Sequence, residues 1–255
     1  MTLNMIFLGS GSAFTIGPEN YHSNILLELG QDSLLIDAGT DIRHSLREQN
    51  RSYLDVGNVS ISHVHSGHAG GLEWLALTSY FDSNYKGKPN LITSEKIIVD
   101  LWNKTLCGGL STLPETRASI DSFFNVKPIK PHEGFVWSSI DFKLVQTVHF
   151  YSDYELMPSY GLIFTYNKTC IFFTSDTQNS LEQLISCYEA ADIIFHDCET
   201  QTHQSHVHAH YSELVKLPAY LKKKMWLYHY NPGQLPDAKK DGFLGFVVKG
   251  QSFLF

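Results

Sequence analysis

The chain has 255 residues, 43% of them hydrophobic and 18% charged, and carries a net charge of −7. That length buries one large α/β core or two small ones, while the acidic balance argues against a large nucleic-acid footprint, which needs clustered Lys and Arg. No stretch approaches the ~20 apolar residues of a membrane span, and the opening MTLNMIFLGSGSAF lacks the basic start and apolar run of a signal peptide. The expectation is a soluble intracellular protein.

The first half opens with strand-like runs, MIFLG, NILLEL and SLLIDAG, each ending at a Gly or a turn residue. DIRHSLREQN has helical spacing, with Ile42 and Leu46 on one face. NVSISHVH alternates and runs into a histidine cluster, so those histidines belong where a strand gives way to a loop. GGLEWLALTSYF then reads as a helix with Leu72, Leu75 and Ala76 turned inward. A second batch of strands follows in FVWSSIDFKLVQTVHF, SYGLIFTYN and TCIFFTSD. After it come a helix in NSLEQLISCYEA, an apolar strand in DIIFHD, a helix in YSELVKLPAYLKK and a short strand in MWLYHY. GFLGFVVKGQSFLF reads as a final strand pair. Strands in two batches, each followed by helices, predict two packed sheets covered by helices outside. No repeat or linker divides the chain, so residues 1–255 read as a single domain.

Cys107, Cys170, Cys187 and Cys198 form no CxxC pair and read as reduced, mostly buried thiols. The basic run Lys222–Lys224 reads as a solvated helix end. The compositional anomaly is thirteen histidines, four of them between His203 and His210.

ISHVHSGHAGG places His63, His65 and His68 within six positions, after an apolar strand and before two glycines. One histidine at a strand end is more often a packed or surface residue than a ligand. Three at this spacing are a stronger signal, since i and i+2 on a strand project to one side. Partners stand at the ends of other apolar runs: His149 after VQTV, Asp176 after IFFTS and His229 after WLY. Imidazoles and a carboxylate suit Zn²⁺, with Mn²⁺ as the second candidate. Asp176 is the natural bridge between two ions, about 3.5–4 Å apart in two-metal hydrolases.

HVHSGHAGG resembles the metallo-β-lactamase superfamily motif His-x-His-x-Asp-His, which is followed downstream by a His, an Asp and a last His. LGSGSAF, LLIDAG and IFHDCET look like the RNase Z branch. Within it, SHVHAHYSEL and QLPDAKKDGFLGFV look most like phage anti-Pycsar cyclic-nucleotide phosphodiesterases. The resemblance implies an α/β fold of four layers, an αββα sandwich with two metals at one edge of the sheets, and a homodimer. It assigns His63, His65 and His149 to the first ion, His68 and His229 to the second, and Asp176 to both. It also implies hydrolysis of 3′,5′-cyclic mononucleotides (cCMP, cUMP, cAMP, cGMP) to 5′-monophosphates, countering cyclic-nucleotide antiviral signalling in the cytoplasm of a bacterial or infected host cell.

One position departs from the motif. The aspartate expected before His68 is Gly67, which has no side chain to offer. An engineered substitution, a natural loss, and a working variant with water in the gap are the three explanations. The other motif positions are intact, which fits recent or deliberate loss better than long decay. Losing one anionic ligand weakens the second site, so the first ion is expected to be held more firmly.

A proton donor for the leaving oxygen is also needed. Asp197 and His208 match the RNase Z pair of orienting carboxylate and catalytic His. His210 is the rival for that acid, and Asp197 as a mere orienter of a metal-binding histidine is an equal alternative. His203 and His206 read as exposed loop residues. Residues 150–175 hold a single Lys and no Arg, so the basic tRNA-gripping arm of RNase Z has no counterpart, and a small anionic phosphodiester fits better. Phe150, Tyr151 and Tyr154 are candidates to stack on a base, though packing is the plainer role for each. The alternatives are a catalytically inactive nucleotide-binding homologue, an RNase Z-like nuclease and, less favoured, a lactonase or lactamase.

Overall fold

The computed structural model describes residues 1–130 and 133–255. Two sheets of seven strands each face one another, and they are built alike. In the first, Ser252–Leu254, Asn4–Phe7, Ile25–Leu29 and Asp32–Ile36 pair antiparallel, and Asn58–Ser60, Asn90–Ser94 and Asn125–Ile129 then continue in parallel. In the second, Gly134–Trp137, Ile140–Ser152, Glu155–Tyr166 and Thr169–Phe173 are antiparallel, and Ile193–Asp197, Met225–Tyr228 and Gly245–Phe246 follow in parallel.

Alternation along the strands makes three apolar layers of this. Met5, Phe7, Ile25 and Leu27 of one sheet meet Phe142, Leu162, Phe173 and Phe195 of the other in the central core. Phe195 lies 5.0 Å from Phe7 and 4.9 Å from Phe253, ring centre to ring centre. The opposite faces are closed by helices. Leu35 and Val59 pack under Leu72, Leu75 and Ala76 of helix Leu72–Phe81, and Phe172 and Ile194 under Leu184 and Tyr188 of helix Leu181–Ala190. The expected αββα sandwich is thus the observed one.

Three expectations change in detail. YSELVKLPAYLKK is not one helix but two short ones, Tyr211–Leu214 and Ala219–Lys222, interrupted at Pro218, which cannot continue a helix. The two last strands do not pair with each other. Gly245–Phe246 joins Met225–Tyr228, whereas Ser252–Leu254 crosses to the first sheet beside Asn4–Phe7, so the C-terminal segment links the two sheets. All four cysteines are free, but only Cys198 is fully buried. Among the described residues no helix is long and apolar enough to cross a membrane.

Candidate metal centre

The site lies where parallel strands of both sheets end, the edge at which open α/β sheets gather ligands. Asp37 follows strand Asp32–Ile36, Asp176 follows Thr169–Phe173, Asp197 closes Ile193–Asp197 and His229 follows Met225–Tyr228. Asp37, Ser175 and His229 take left-handed φ values of 63°, 55° and 63°, so three chains leave their strands through a turn that ordinary side chains avoid. His149 comes from within Ile140–Ser152, at a register shift between Val148 and Tyr151 that re-aims its side chain. Strand Asn58–Ser60 stops sooner than the alternating pattern predicts. His63 and His65 therefore stand on the loop beyond it, and His65 leads into the one-turn helix Ser66–Ala69 that carries Gly67 and His68.

The six expected metal ligands converge. His65 Nδ1 lies 3.0 Å from His63 Nε2 and 3.2 Å from His149 Nε2. Asp176 Oδ2 is 3.6 Å from His63 Nε2 and 3.8 Å from His149 Nε2. Ligands arranged tetrahedrally at zinc–nitrogen distances of 2.0–2.1 Å stand about 3.3 Å apart, so these four atoms fit one ion. The same oxygen, Asp176 Oδ2, is 3.3 Å from His68 Nε2 and 3.5 Å from His229 Nε2. Asp176 Oδ1 is buried with no hydrogen-bond partner, an expensive condition that a cation relieves. The residues present fit a divalent metal pair sharing Asp176: His63, His65 and His149 complete one set of mutually close donor atoms, His229 stands in a second with Asp197 and His208, and His68 reaches the shared Asp176 oxygen beside them.

Charge follows the same division. Burial drives His63 and His149 below the usual imidazole range and His65 down to about 4, which leaves neutral rings with lone pairs to donate. Burial acts the same way on His68, but the carboxylates of Asp176 and Asp37 overcome it and raise His68 well above its ordinary value. Asp176 is held low, against its burial, by His229 and His68.

Gly67 lines the cavity over this cluster, and a Cβ built on it would meet only His22 ring carbons, at 3.8 Å. There is room for a side chain and no steric reason for glycine. The cavity holds about 490 Å³, and Phe14, Phe150, Glu199 and His208 also line it.

The acid pair comes together as well. His208 Nδ1 donates to Asp197 Oδ2 at 2.8 Å, and Asp197 is fully buried. Burial alone would lower His208, yet the Asp197 carboxylate lifts it to about 9, while Asp197 falls, against its own burial, to about 2 beside His208 and His229. Asp197 Oδ1 also faces His229 Nδ1 at 3.2 Å. The geometry accommodates both alternatives for Asp197, since one of its oxygens accepts from His208 and the other faces His229. His210 is turned away, its Nδ1 on Ser212 Oγ and its Nε2 on the Gln201 carbonyl, each at 2.8 Å. His203 and His206 are exposed. Phe150 stacks on His65 with ring centres 5.6 Å apart, whereas Tyr151 and Tyr154 lie exposed at the hairpin tip, outside the cavity wall.

The sequence reading assigned no role to Asp37. It is fully buried and accepts from Ser62 N, Ser62 Oγ and His68 Nδ1, all at 2.8 Å. A lone acid ending the apolar run LLI was the available signal. Phe14, in the loop after the first strand, carried no pattern that could announce it.

Comparison with known proteins agrees with this architecture. The chain is 34% identical over 230 residues to an anti-Pycsar protein Apyc1 of Paenibacillus harenae, covering 89% of this chain and 90% of the relative. It is 27% identical over 260 residues to the anti-Pycsar protein Apyc1 of Bacillus phage vB_BsuM-Goe3, covering 99% and 98%. The crystal structure of the metallo-β-lactamase fold protein YhfI from Bacillus subtilis superposes over 100% of both chains with a TM-score of 0.77 at 16% identity, a likeness of fold. The family model for anti-Pycsar protein Apyc1 matches residues 3–253, and the chain belongs to that family.

Proposed function

We propose that the protein is a metal-dependent phosphodiesterase that opens 3′,5′-cyclic mononucleotides to 5′-monophosphates and so removes a cyclic-nucleotide signal from the cytoplasm. The observation that carries this reading is the overlap of two donor sets on Asp176 Oδ2 directly beneath a His208 held by Asp197. When bound, divalent ions there supply neutralisation of phosphoryl charge and acidify the attacking water.

The chain's own groups do the rest. His208, charged at neutral pH and fixed through Nδ1, presents its other ring nitrogen as a proton donor. Water adds to phosphorus, the P–O3′ bond breaks, and His208 gives O3′ its proton. The product is a 5′-monophosphate with a free 3′-hydroxyl, and the proton released by the water restores His208 through solvent. Phe14 and Phe150 offer apolar faces for a base at the cavity wall. The net charge of −7 favours a small diester over a long nucleic acid.

A second reading, binding without turnover, is favoured by Gly67 alone, because it leaves the His68 side of the centre one anionic ligand short. Incubating the chain with cyclic CMP, UMP, AMP and GMP and with Zn²⁺ or Mn²⁺, while following both binding and product, separates the two. Product formation abolished by a chelator is the expected result. Binding without product makes the protein a nucleotide sink, and absence of both overturns the proposal.

A further inference from the structure

Four histidines turn Nε2 toward Asp176, and each has something behind its Nδ1. His63 has the Ser62 hydroxyl at 3.0 Å, and His149 has the Val207 carbonyl at 2.8 Å. Both partners are neutral. His68 has the Asp37 carboxylate at 2.8 Å, and His229 faces the Asp197 carboxylate at 3.2 Å, obliquely but with neither atom given another partner. The two histidines on the Gly67 side are thus the two backed by full negative charges, both fully buried.

We propose that Asp37 and Asp197 are positioning residues that enable the His68–His229 side to take up a divalent ion although Gly67 supplies no ligand. The proposal rests on the metal-centre reading but not on any substrate. A carboxylate behind Nδ1–H fixes the tautomer so that the Nε2 lone pair faces the ion, and it makes that lone pair more basic. Two such charges restore, one shell further out, part of the attraction that an aspartate at position 67 would exert.

The hydrogen-bond directions sharpen the argument for Asp37. Both of its oxygens already accept, Oδ1 from Ser62 N and Oδ2 from Ser62 Oγ and His68 Nδ1. Since the Ser62 hydroxyl spends its proton on Asp37, it must accept from His63 Nδ1. Asp37 therefore reaches His63 only through a neutral hydroxyl, whereas it touches His68 directly. Its loss should fall on the His68 side first.

The test is a titration of the full metal-stripped chain with Zn²⁺ against a chromophoric chelator. The chain itself is expected to bind two equivalents. In Asp37→Asn, an NH₂ group replaces the oxygen that held His68 Nδ1–H, so the His68 proton moves to Nε2 and blocks the ligand. The second equivalent should weaken by about 10–100-fold, with the first retained. Asp197→Asn, on the other sheet, should do the same through His229. Ser62→Ala should spare the second equivalent, and Asp37→Asn combined with Gly67→Asp should recover it. Retention of the first equivalent reports that each variant is folded. The proposal is overturned if the unmodified chain takes one ion only, or if both aspartate variants bind the second within threefold of it. No binding of any ion overturns the metal-centre reading itself, a separate result.

Discussion

Restoring a carboxylate at position 67 is the most direct perturbation of this centre. In Gly67→Asp the new Cβ meets only His22 carbons at 3.8 Å, ordinary van der Waals contact, so the backbone has no cause to move. Position 67 lies in the first turn of the short helix Ser66–Ala69, where an anion is tolerated and glycine costs about 0.5–1 kcal/mol relative to alanine. The gain is expected in metal binding. Groups one shell out from a metal are worth about 10–100-fold in affinity, so a direct anionic ligand sets a floor of about 100-fold for the second ion, or about 2.7 kcal/mol. Turnover should rise in parallel. Without metal the sign reverses, because a further carboxylate joins Asp37, Asp176 and Asp197 with no new cation, and the stripped variant should melt at a lower temperature than the stripped parent. Chelator competition, initial rates on a cyclic mononucleotide and melting curves with and without Zn²⁺ make up the assay. Equal zinc affinity together with equal turnover would refute the reasoning, since Gly67 would then mark no gap in the ligand set.

His208→Gln keeps a hydrogen-bonding side chain but removes the proton donor, and should lower turnover by about 10²–10⁴-fold with little change in zinc content. The alkaline fall of the parent pH–rate profile, at or below about 9, should disappear in that variant; a fall that persists would assign it to another group. In the stripped protein the same pair predicts a stability profile. The folded value of His208, about 9, exceeds the unfolded value of about 6.5, so its contribution is complete below about pH 6.5 and is lost as pH rises through about 9. Melting temperature should fall across that window in the parent and less so in His208→Gln. Phe195→Ala, between the sheets against Phe7 and Phe253, should cost about 3–5 kcal/mol in urea unfolding, and a loss below 1 kcal/mol would contradict the shared central core.

Much of this was legible along the chain. Strands and helices followed from periodicity, and the candidate ligands His63, His65, His68, His149, Asp176 and His229 were readable because metal chemistry restricts the residue types and the resemblance to the superfamily motif set their order. The gap at Gly67 was visible for the same reason: a missing side chain is plain in a one-dimensional motif. What the linear order could not carry was direction. Whether Asp197 served His208 or a metal histidine depended on where two strand ends from the second sheet met, and the fold brings both imidazoles to one carboxylate. His208 and His210 are alike as letters, and separate only because one bonds to Asp197 while the other caps a helix. Asp37 lies far from His68 in sequence and became its partner through parallel pairing of Asp32–Ile36 with Asn58–Ser60. The terminal strands parted to different sheets because pairing is decided by which edge stands open, a property of the assembled sheets and of no single segment. Local patterns thus determined which residues can bind a metal, and tertiary contacts decided which proton each of them holds.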